Sequence, residues 1–453
     1  MLNPNIFKAY DIRGVFGVDF DVEFARELGI AYVNFRSKEL SGKKLSVLVA
    51  SDMRLSSPEL KTALIEGVLS AGASVIDAGI ISTPTFYFAV SNSQADGGVM
   101  ISASHNPSEW NGFKVVREKS LPVSSENGLE DLKNLVVAKK LELSDVKGEL
   151  TNRNDFLSLQ IDHDFALVNK ESINSFVIAL DPANGMGAQY LQEMFYKLNC
   201  ELHKINFELD GSFPGHEADP LKPENIEPLR EFVLECGADL GIATDGDGDR
   251  IFFVDNEGQV IIPAVIRGVL AKLFLADRPG SKIAYDVRPG RITRDLIEEN
   301  GGIPIITRVG HSLIKDQAIK EGAYFAGESS GHFFLNESIG CFEMPVVMIL
   351  KLLKDLSASG MSSSEYFGRY NKYFQSGEIN LKVEDKEKVL ENIKTKYAKG
   401  KISLLDGVSV EYPEYWFNVR CSNTENVVRL NLEALDFETM EKKRDEVLEV
   451  MKK

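Results

Sequence analysis

Three stretches of the chain share one layout: a short unbroken apolar run ending near an aspartate, a polar or glycine-containing turn, a helically periodic segment, and a second apolar run. They are "LSVLVASDMRLSSPELKTALIEGVLSAGASVIDAG", "SFVIALDPANGMGAQYLQEMFYKLNCELHKIN" and "KIAYDVRPGRITRDLIEENGGIPIITRVG", with Asp52, Asp181 and Asp286 in corresponding places. A continuous apolar run that gives way to a 3.6-residue period and then to another run predicts a βαβ unit, and so parallel strands beneath helices. The units begin more than a hundred residues apart, which predicts three similar α/β domains with mixed sheets and not one long sheet. The last ninety residues differ: a charged helix over 384–398, strands over 402–432 and a charged helix over 436–452 predict a smaller α+β domain. Boundaries are expected in polar "KGELTNRND", after "DRIFF" and in Ser-rich "LSASGMSSSEYF", giving domains 1–150, 151–253, 254–365 and 366–453.

Composition narrows the function classes. A chain of 453 residues is too long for one ordinary core, and 43% apolar with 26% charged residues is the balance of a soluble globular protein. The opening "MLNPNIFKAYDIRG" lacks an uninterrupted apolar run, and no stretch approaches the ~20 apolar residues that span a bilayer, so a cytoplasmic protein without membrane attachment is expected. Cys200, Cys236, Cys341 and Cys421 share no CxxC spacing, which argues against a zinc knuckle or redox pair. A net charge of −17 with no basic patch argues against nucleic acid. A small anion is different, because a few convergent Arg and Lys residues hold it locally.

The chemistry lies in four short segments. "GIATDGDGDRIFFVDNEG" places Asp245, Asp247 and Asp249 at alternate positions after an apolar run, and three such carboxylates repel one another unless a hard divalent cation neutralises them. An EF-hand loop from Asp245 would need Gly sixth and Glu twelfth, where Arg250 and Asn256 stand. A solvated acidic turn is the plain alternative. "AYFAGESSGHFFL" fits GxSxG with Ser329 at its centre, but only His332 follows and strand-like "FFL" replaces the required helix, so the hydrolase reading fails. Glu328, Ser330 and His332 instead form a Gly-bounded polar loop suited to sugar hydroxyls, or simply a hairpin turn. "NGMG" at 184–187 lacks the third glycine of a dinucleotide fingerprint, since Tyr190 stands there, and reads as a tight structural turn. No GxxxxGK[ST] occurs. "VRCSNTENVVR" sets Arg420, Ser422, Asn423 and Thr424 together, a group able to hold a phosphate. "MISASHNPSEWNGFK" leaves Ser104 either a nucleophile or part of a turn.

Taken in order, "KAYDIRG", "SASHNP", "DGDGDR", "RVGHSLIK", "GESSGH" and "RCSNT" resemble the α-D-phosphohexomutases of the phosphomannomutase/phosphoglucomutase group over nearly the whole chain. The resemblance implies a heart-shaped fold of four domains around a central cleft, acting as a monomer or homodimer. It implies reversible transfer of a phosphoryl group between the 1- and 6-positions of a hexose phosphate, mannose and/or glucose. Ser104 would be the phosphoserine, Asp245, Asp247 and Asp249 would hold Mg²⁺ with an oxygen of that group, and glucose 1,6-bisphosphate or mannose 1,6-bisphosphate would be the activator. Lys114 and Arg250 would face the transferring phosphate, His105 would belong to the same catalytic site, and His311 and His332 would be the candidates for general acid and base. Tyr10, Arg13 and Arg288 would line the cleft, Glu328 and Ser330 would meet the sugar's 3- and 4-hydroxyls, and Arg420, Ser422, Asn423 and Thr424 would clamp the other phosphate. The chain departs from the pattern at Ser102, often Thr; at Asn426, usually Pro; and at Arg288, frequently Lys. A phosphoglucosamine mutase is the nearest alternative, ahead of a phosphomonoesterase or a non-enzymatic sugar-phosphate sensor.

Overall fold

The computed structural model describes residues 3–168, 172–422 and 427–452. The chain divides into two compact units, one of 1–261 with 331–364 and one of 262–330 with 365–453.

The first unit holds two mixed sheets. In the first, strands β1 (Ile12–Val15), β2 (Ser46–Ser51), β3 (Ser74–Ile80), β4 (Gly97–Ile101), β5 (Trp110–Arg117) and β6 (Leu150–Asn152) run in the order β1-β5-β4-β2-β3-β6. β4, β2, β3 and β6 pair in parallel, while β5 lies antiparallel to β4 and to β1. The parallel half is the βαβ unit expected from the first repeat, with helix Ser57–Ser70 as its crossover, and β2 is buried along nearly its whole length, as a strand covered on both faces must be. Phe20, Phe24, Leu28, Leu60, Leu64 and Phe113 belong to its core. The polar segment where a boundary is expected contributes β6 to this sheet. In the second sheet, β7 (Val177–Asp181), β8 (Glu201–Lys204), β9 (Leu240–Thr244) and β10 (Ile251–Asp255) run in the order β10-β9-β7-β8, again parallel except for the β9–β10 hairpin.

In the second unit the third repeat follows helix Pro263–Asp277, and its β11 (Lys282–Asp286) pairs in parallel with β12 (Ile303–Thr307) and with β13 (Phe325–Gly327). The chain then returns to the first unit as the hairpin β14 (Phe333–Glu337) and β15 (Gly340–Glu343) and the helix Pro345–Ser359. It ends in the second unit with β16 (Phe374–Lys382), β17 (Lys401–Ser403), β18 (Val408–Glu411), β19 (Tyr415–Cys421) and β20 (Val427–Ala434), an antiparallel sheet in the order β16-β20-β19-β18-β17. Helices Lys386–Lys396 and Phe437–Met451 answer to the two charged helices expected here. Their buried Val389, Ile393, Met440 and Val447 join the core of this sheet with Phe417 and Leu430. The expectation missed β16, a sheet edge whose residues are mostly exposed.

Candidate active site

Each repeat's aspartate stands at the end of its first strand and organises the turn that follows. Asp52 Oδ1 accepts the Arg54 N–H at 3.0 Å and Asp181 Oδ1 accepts the Ala183 N–H at 3.0 Å, while Asp286 Oδ2 accepts from Arg288 Nε at 2.6 Å.

In the first unit the loop between β4 and β5 carries Ser104, a buried residue at φ 53°. A left-handed conformation is unfavourable for any residue with a Cβ. Arg54 offsets it from beneath: this buried guanidinium donates to the carbonyls of Ser104 (2.9 Å), Asn106 (2.6 Å), Pro107 (2.7 Å) and Trp110 (2.9 Å). Arg13 adds bonds to the Ala103 carbonyl at 3.2 Å and to Asn106 Oδ1 at 2.7 Å. The turn presents Ser104 Oγ to Asp245 Oδ2, to which it donates at 2.8 Å, with His105 Nδ1 3.2 Å away. His105 titrates well below the usual histidine range, first through burial and then through the charges of Arg250, Arg13, His332 and Lys114, so the imidazole is neutral at pH 7.

Asp245, Asp247 and Asp249 lie in the loop from β9 to β10, all buried, with ligand oxygens within 4.8 Å of one another. That spacing, together with two buried oxygens that accept no hydrogen bond among the described residues, Asp247 Oδ1 and Asp249 Oδ1, fits a divalent cation. Asp247 Oδ2 accepts from Thr83 Oγ1 at 2.5 Å, and Lys114 Nζ stands 2.6 Å from Asp247 Oδ2 and 2.6 Å from Asp249 Oδ2. Burial, then the charges of Asp249 and Asp247, push Asp245 up to about 8. Asp247 moves the other way: burial opposes ionisation, but Lys114, Thr83 and Arg13 together hold it below the usual carboxylate range. The turn "NGMG" backs this loop. Met186 N–H donates to the Gly246 carbonyl at 2.9 Å, and a Cβ on Gly185 would lie 2.7 Å from that oxygen. A Cβ on Gly246 would meet the Ser104 carbonyl at 2.5 Å, so glycine lets the two loops touch.

His332, at the start of the β14 hairpin, completes this side. Arg250 Nε donates to His332 Nε2 at 3.2 Å, which leaves the proton on Nδ1, 3.4 Å from Asp249 Oδ1 and 3.3 Å from Glu343 Oε1.

In the second unit, Glu328 Oε1 accepts the Gly310 N–H at 3.0 Å and lies 3.2 Å from Arg288 Nη2, while Glu328 Oε2 accepts from Ser330 Oγ at 2.7 Å. Gly310 immediately precedes His311, the first residue of helix His311–Glu321. Ser329, at the centre of GxSxG, donates to Asp286 Oδ1 at 2.8 Å and accepts from buried Arg267, so its hydroxyl is committed to this loop. Arg420, on β19, donates to Glu378 Oε2 at 2.9 Å, and Arg429 donates to Glu378 Oε1 at 3.1 Å. Ser422 follows β19, and Asn423 and Thr424 lie outside the described residues. Tyr10 and Arg13 belong to the first unit, Tyr10 half-buried just ahead of β1.

Arg54, Thr83, Glu343 and Glu378 escape the sequence reading. For Arg54 a signal existed: the Asp-x-Arg spacing of Asp52 and Arg54 recurs at Asp286 and Arg288, in the same place of two repeats.

Profiles of four domains match in chain order: phosphoglucomutase/phosphomannomutase alpha/beta/alpha domain I over 4–140, domain II over 159–258, domain III over 263–373, and the C-terminal domain over 378–450. A phosphomannomutase of Methanocaldococcus jannaschii is 38% identical over 452 residues, 99% of this chain and 98% of its own. The chain belongs to the phosphoglucomutase/phosphomannomutase family. A phosphomannomutase/phosphoglucomutase of Pseudomonas syringae is 36% identical, covering 96% of this chain and 92% of its own. The crystal structure of a phosphoglucomutase/phosphomannomutase family protein from Burkholderia thailandensis superposes with a TM-score of 0.90 at 30% identity, over 100% of this chain and 98% of that one. The three α/β domains and the C-terminal domain are thus those of the family, and this mutase is an enzyme. No described helix is long and apolar enough to cross a membrane.

Proposed function

We propose that the mutase moves a phosphoryl group reversibly between the 1- and 6-positions of mannose and/or glucose phosphate, through phosphorylated Ser104 and a hexose 1,6-bisphosphate. The observation that carries this reading is the Ser104 hydroxyl, held in a left-handed turn and aimed at Asp245, 2.8 Å away. Phosphoryl transfer asks a protein for positioning and charge neutralisation, and both are features of this loop pair. Asp245, Asp247 and Asp249, with an oxygen of the phosphorylated serine, would hold Mg²⁺, which when bound neutralises charge on the transferring group.

The remaining steps belong to the chain's own residues. Lys114 and Arg250 face the phosphate and balance its charge. A sugar hydroxyl attacks phosphorus while the P–O bond to Ser104 breaks; its proton passes to His311, or to His332 Nε2 once Arg250 has turned to the phosphate, and the leaving Ser104 Oγ takes up a proton from water. His105, neutral beside Ser104, accepts the serine proton when the enzyme is rephosphorylated. Glu328 and Ser330, tied to each other, accept and donate to the sugar's 3- and 4-hydroxyls. Arg420 and Ser422, with Asn423 and Thr424, hold the phosphate that is not reacting, and Tyr10, Arg13 and Arg288 line the substrate's path.

The test is formation of hexose 6-phosphate from mannose, glucose and glucosamine 1-phosphates, with Mg²⁺ and a trace of glucose 1,6-bisphosphate. Turnover of mannose or glucose that stops on chelation supports the proposal. Preference for glucosamine makes the chain a phosphoglucosamine mutase, and release of inorganic phosphate in place of isomerisation makes it a phosphomonoesterase.

A further inference from the structure

Thr83 is the first residue of helix Thr83–Asn92, which leaves the first sheet's side of the unit, whereas Asp247 belongs to the β9–β10 loop of the second sheet. Two hydrogen bonds join them. Thr83 Oγ1 donates to Asp247 Oδ2 at 2.5 Å, and the Thr83 N–H donates to the Asp247 carbonyl at 3.0 Å. Both residues are fully buried. The N–H is one of those a helix leaves unsatisfied at its start, and here the metal loop's own backbone takes it up. Pro84 and the Ser82 cap, which accepts from Thr85 N–H at 3.2 Å, fix that helix end. Thr85 Oγ1 donates at 2.6 Å to buried Gln160 Oε1, on helix Phe156–Leu167, so the anchor is itself tied to a second helix.

The consequence for Asp247 is an asymmetry between its oxygens. Oδ2 is committed to Thr83 and Lys114, while buried Oδ1 accepts no hydrogen bond among the described residues. A carboxylate held at one oxygen and at its own carbonyl keeps its plane, and with it the position of the second oxygen. We infer that Thr83 is a positioning residue, which fixes Asp247 so that Oδ1 alone is offered to the divalent cation. This rests on the proposed reading of Asp245, Asp247 and Asp249 as the metal site.

Thr83→Val keeps the shape and the backbone bond and removes the hydroxyl. A hydrogen bond to a charged group is strong enough that its loss should raise the Mg²⁺ dissociation constant about tenfold. Binding is measured without turnover, by calorimetric titration of the full chain with MgCl₂ and by water-proton relaxation with MnCl₂. In kinetics the Mg²⁺ concentration for half-maximal rate should rise by the same factor, with kcat at saturating Mg²⁺ close to that of the parent. Thr83→Ser should restore both. Should Val disturb folding, Thr83→Ala carries the same expectation. Asp247→Asn separates the two ideas. Parental Mg²⁺ binding by Thr83→Val when Asp247→Asn has lost it overturns the role of Thr83 alone. Parental binding by Asp247→Asn overturns the metal-site reading and this inference with it.

Discussion

Replacing Arg54 by lysine should separate folding of the serine loop from stability of the domain. The guanidinium makes four bonds of 2.6–2.9 Å to loop carbonyls and lies 3.3 Å from Asp52. A lysine keeps the charge beside Asp52, but its ammonium has three donors on a single atom and cannot span carbonyls from Ser104 to Trp110. If two of the four bonds are lost, at roughly 1.5–3 kcal/mol each for a charged donor, the deficit is at least ~3 kcal/mol. Part of it appears as global destabilisation in urea. The rest appears where those bonds were opposing a penalty, because a left-handed Ser104 costs about 1–2 kcal/mol that the loop can relieve once released. Relaxation turns the hydroxyl away from Asp245, and a misplacement worth about 1.4 kcal/mol is a tenfold slower phosphoryl transfer. Labelled hexose bisphosphate, followed by mass measurement of the Ser104 peptide, reads that rate directly. Arg54→Lys should be folded, less stable by ~2 kcal/mol or more, and at least tenfold slower in loading Ser104. A variant that is destabilised but loads Ser104 at the parental rate would refute the claim that Arg54 sets the nucleophile's conformation.

Ser104→Ala should lose nearly all turnover while keeping its fold and substrate binding, checked by calorimetry with glucose 1-phosphate. Arg420→Ala removes the donor at 2.9 Å from Glu378 and should lower kcat/KM about tenfold or more, by similar factors for 1-phosphate and 6-phosphate substrates, if the proposed clamp serves both orientations. Kinetics in both directions decide it, and a loss confined to one of them would count against a shared clamp. Glu433, buried on β20 and accepting from the Arg291 N–H at 3.2 Å and from Gln375 Nε2 at 3.0 Å, is pushed up to about 7 by burial, against 4.5 for a free glutamate. Its folded form therefore favours the proton: the contribution is fully present below pH 4.5 and is lost as pH rises through 7, by on the order of 3 kcal/mol. Glu433→Gln should flatten that part of the stability profile, so a variant with the parental slope in urea titrations between pH 5 and 8 would disprove it.

The three repeats were legible because β2, β7 and β11 are buried enough to read as unbroken apolar runs, and a run followed by a helical period has few other meanings. β16 was not, because an edge strand with most residues exposed carries no such run. The site divides along similar lines. Asp245, Asp247 and Asp249 announce themselves, since carboxylates at alternate positions are costly without a purpose and lie next to one another in sequence. Arg54, Thr83 and Glu378 do not. Arg54 looks like any turn arginine until carbonyls some fifty residues onward arrive around it, and Thr83 looks like any helix start until Asp247, 164 residues away, takes its hydroxyl. Local spacing reveals groups that act together because they are adjacent; it is silent on groups that hold them from another sheet.

The charge balance of the first unit gives those supporting groups their importance. Lys114 is one ammonium within 2.6 Å of two carboxylates, and it cannot reach all three. Its share goes to Asp247 and Asp249, while burial, then the charges of Asp249 and Asp247, drive Asp245 up to about 8. The Ser104 hydroxyl donates to Oδ2 of this carboxyl, and the Arg250 backbone N–H donates to its Oδ1 at 3.1 Å, so it is held by neutral donors and not by a close cation. A site meant only to fold would place an arginine against it, since a buried carboxylate without a close cation is among the more destabilising features a core can hold. The Arg250 guanidinium is nearby but stands 3.8 Å from Asp245, with its Nε donating to His332. The deficit of positive charge is therefore concentrated at the carboxyl that meets the Ser104 hydroxyl. On the proposed mechanism that is where phosphoryl chemistry on Ser104 would need a cation, and it is where a frame of Arg54, Thr83 and two close-packed glycine turns keeps the loops from rearranging to relieve it.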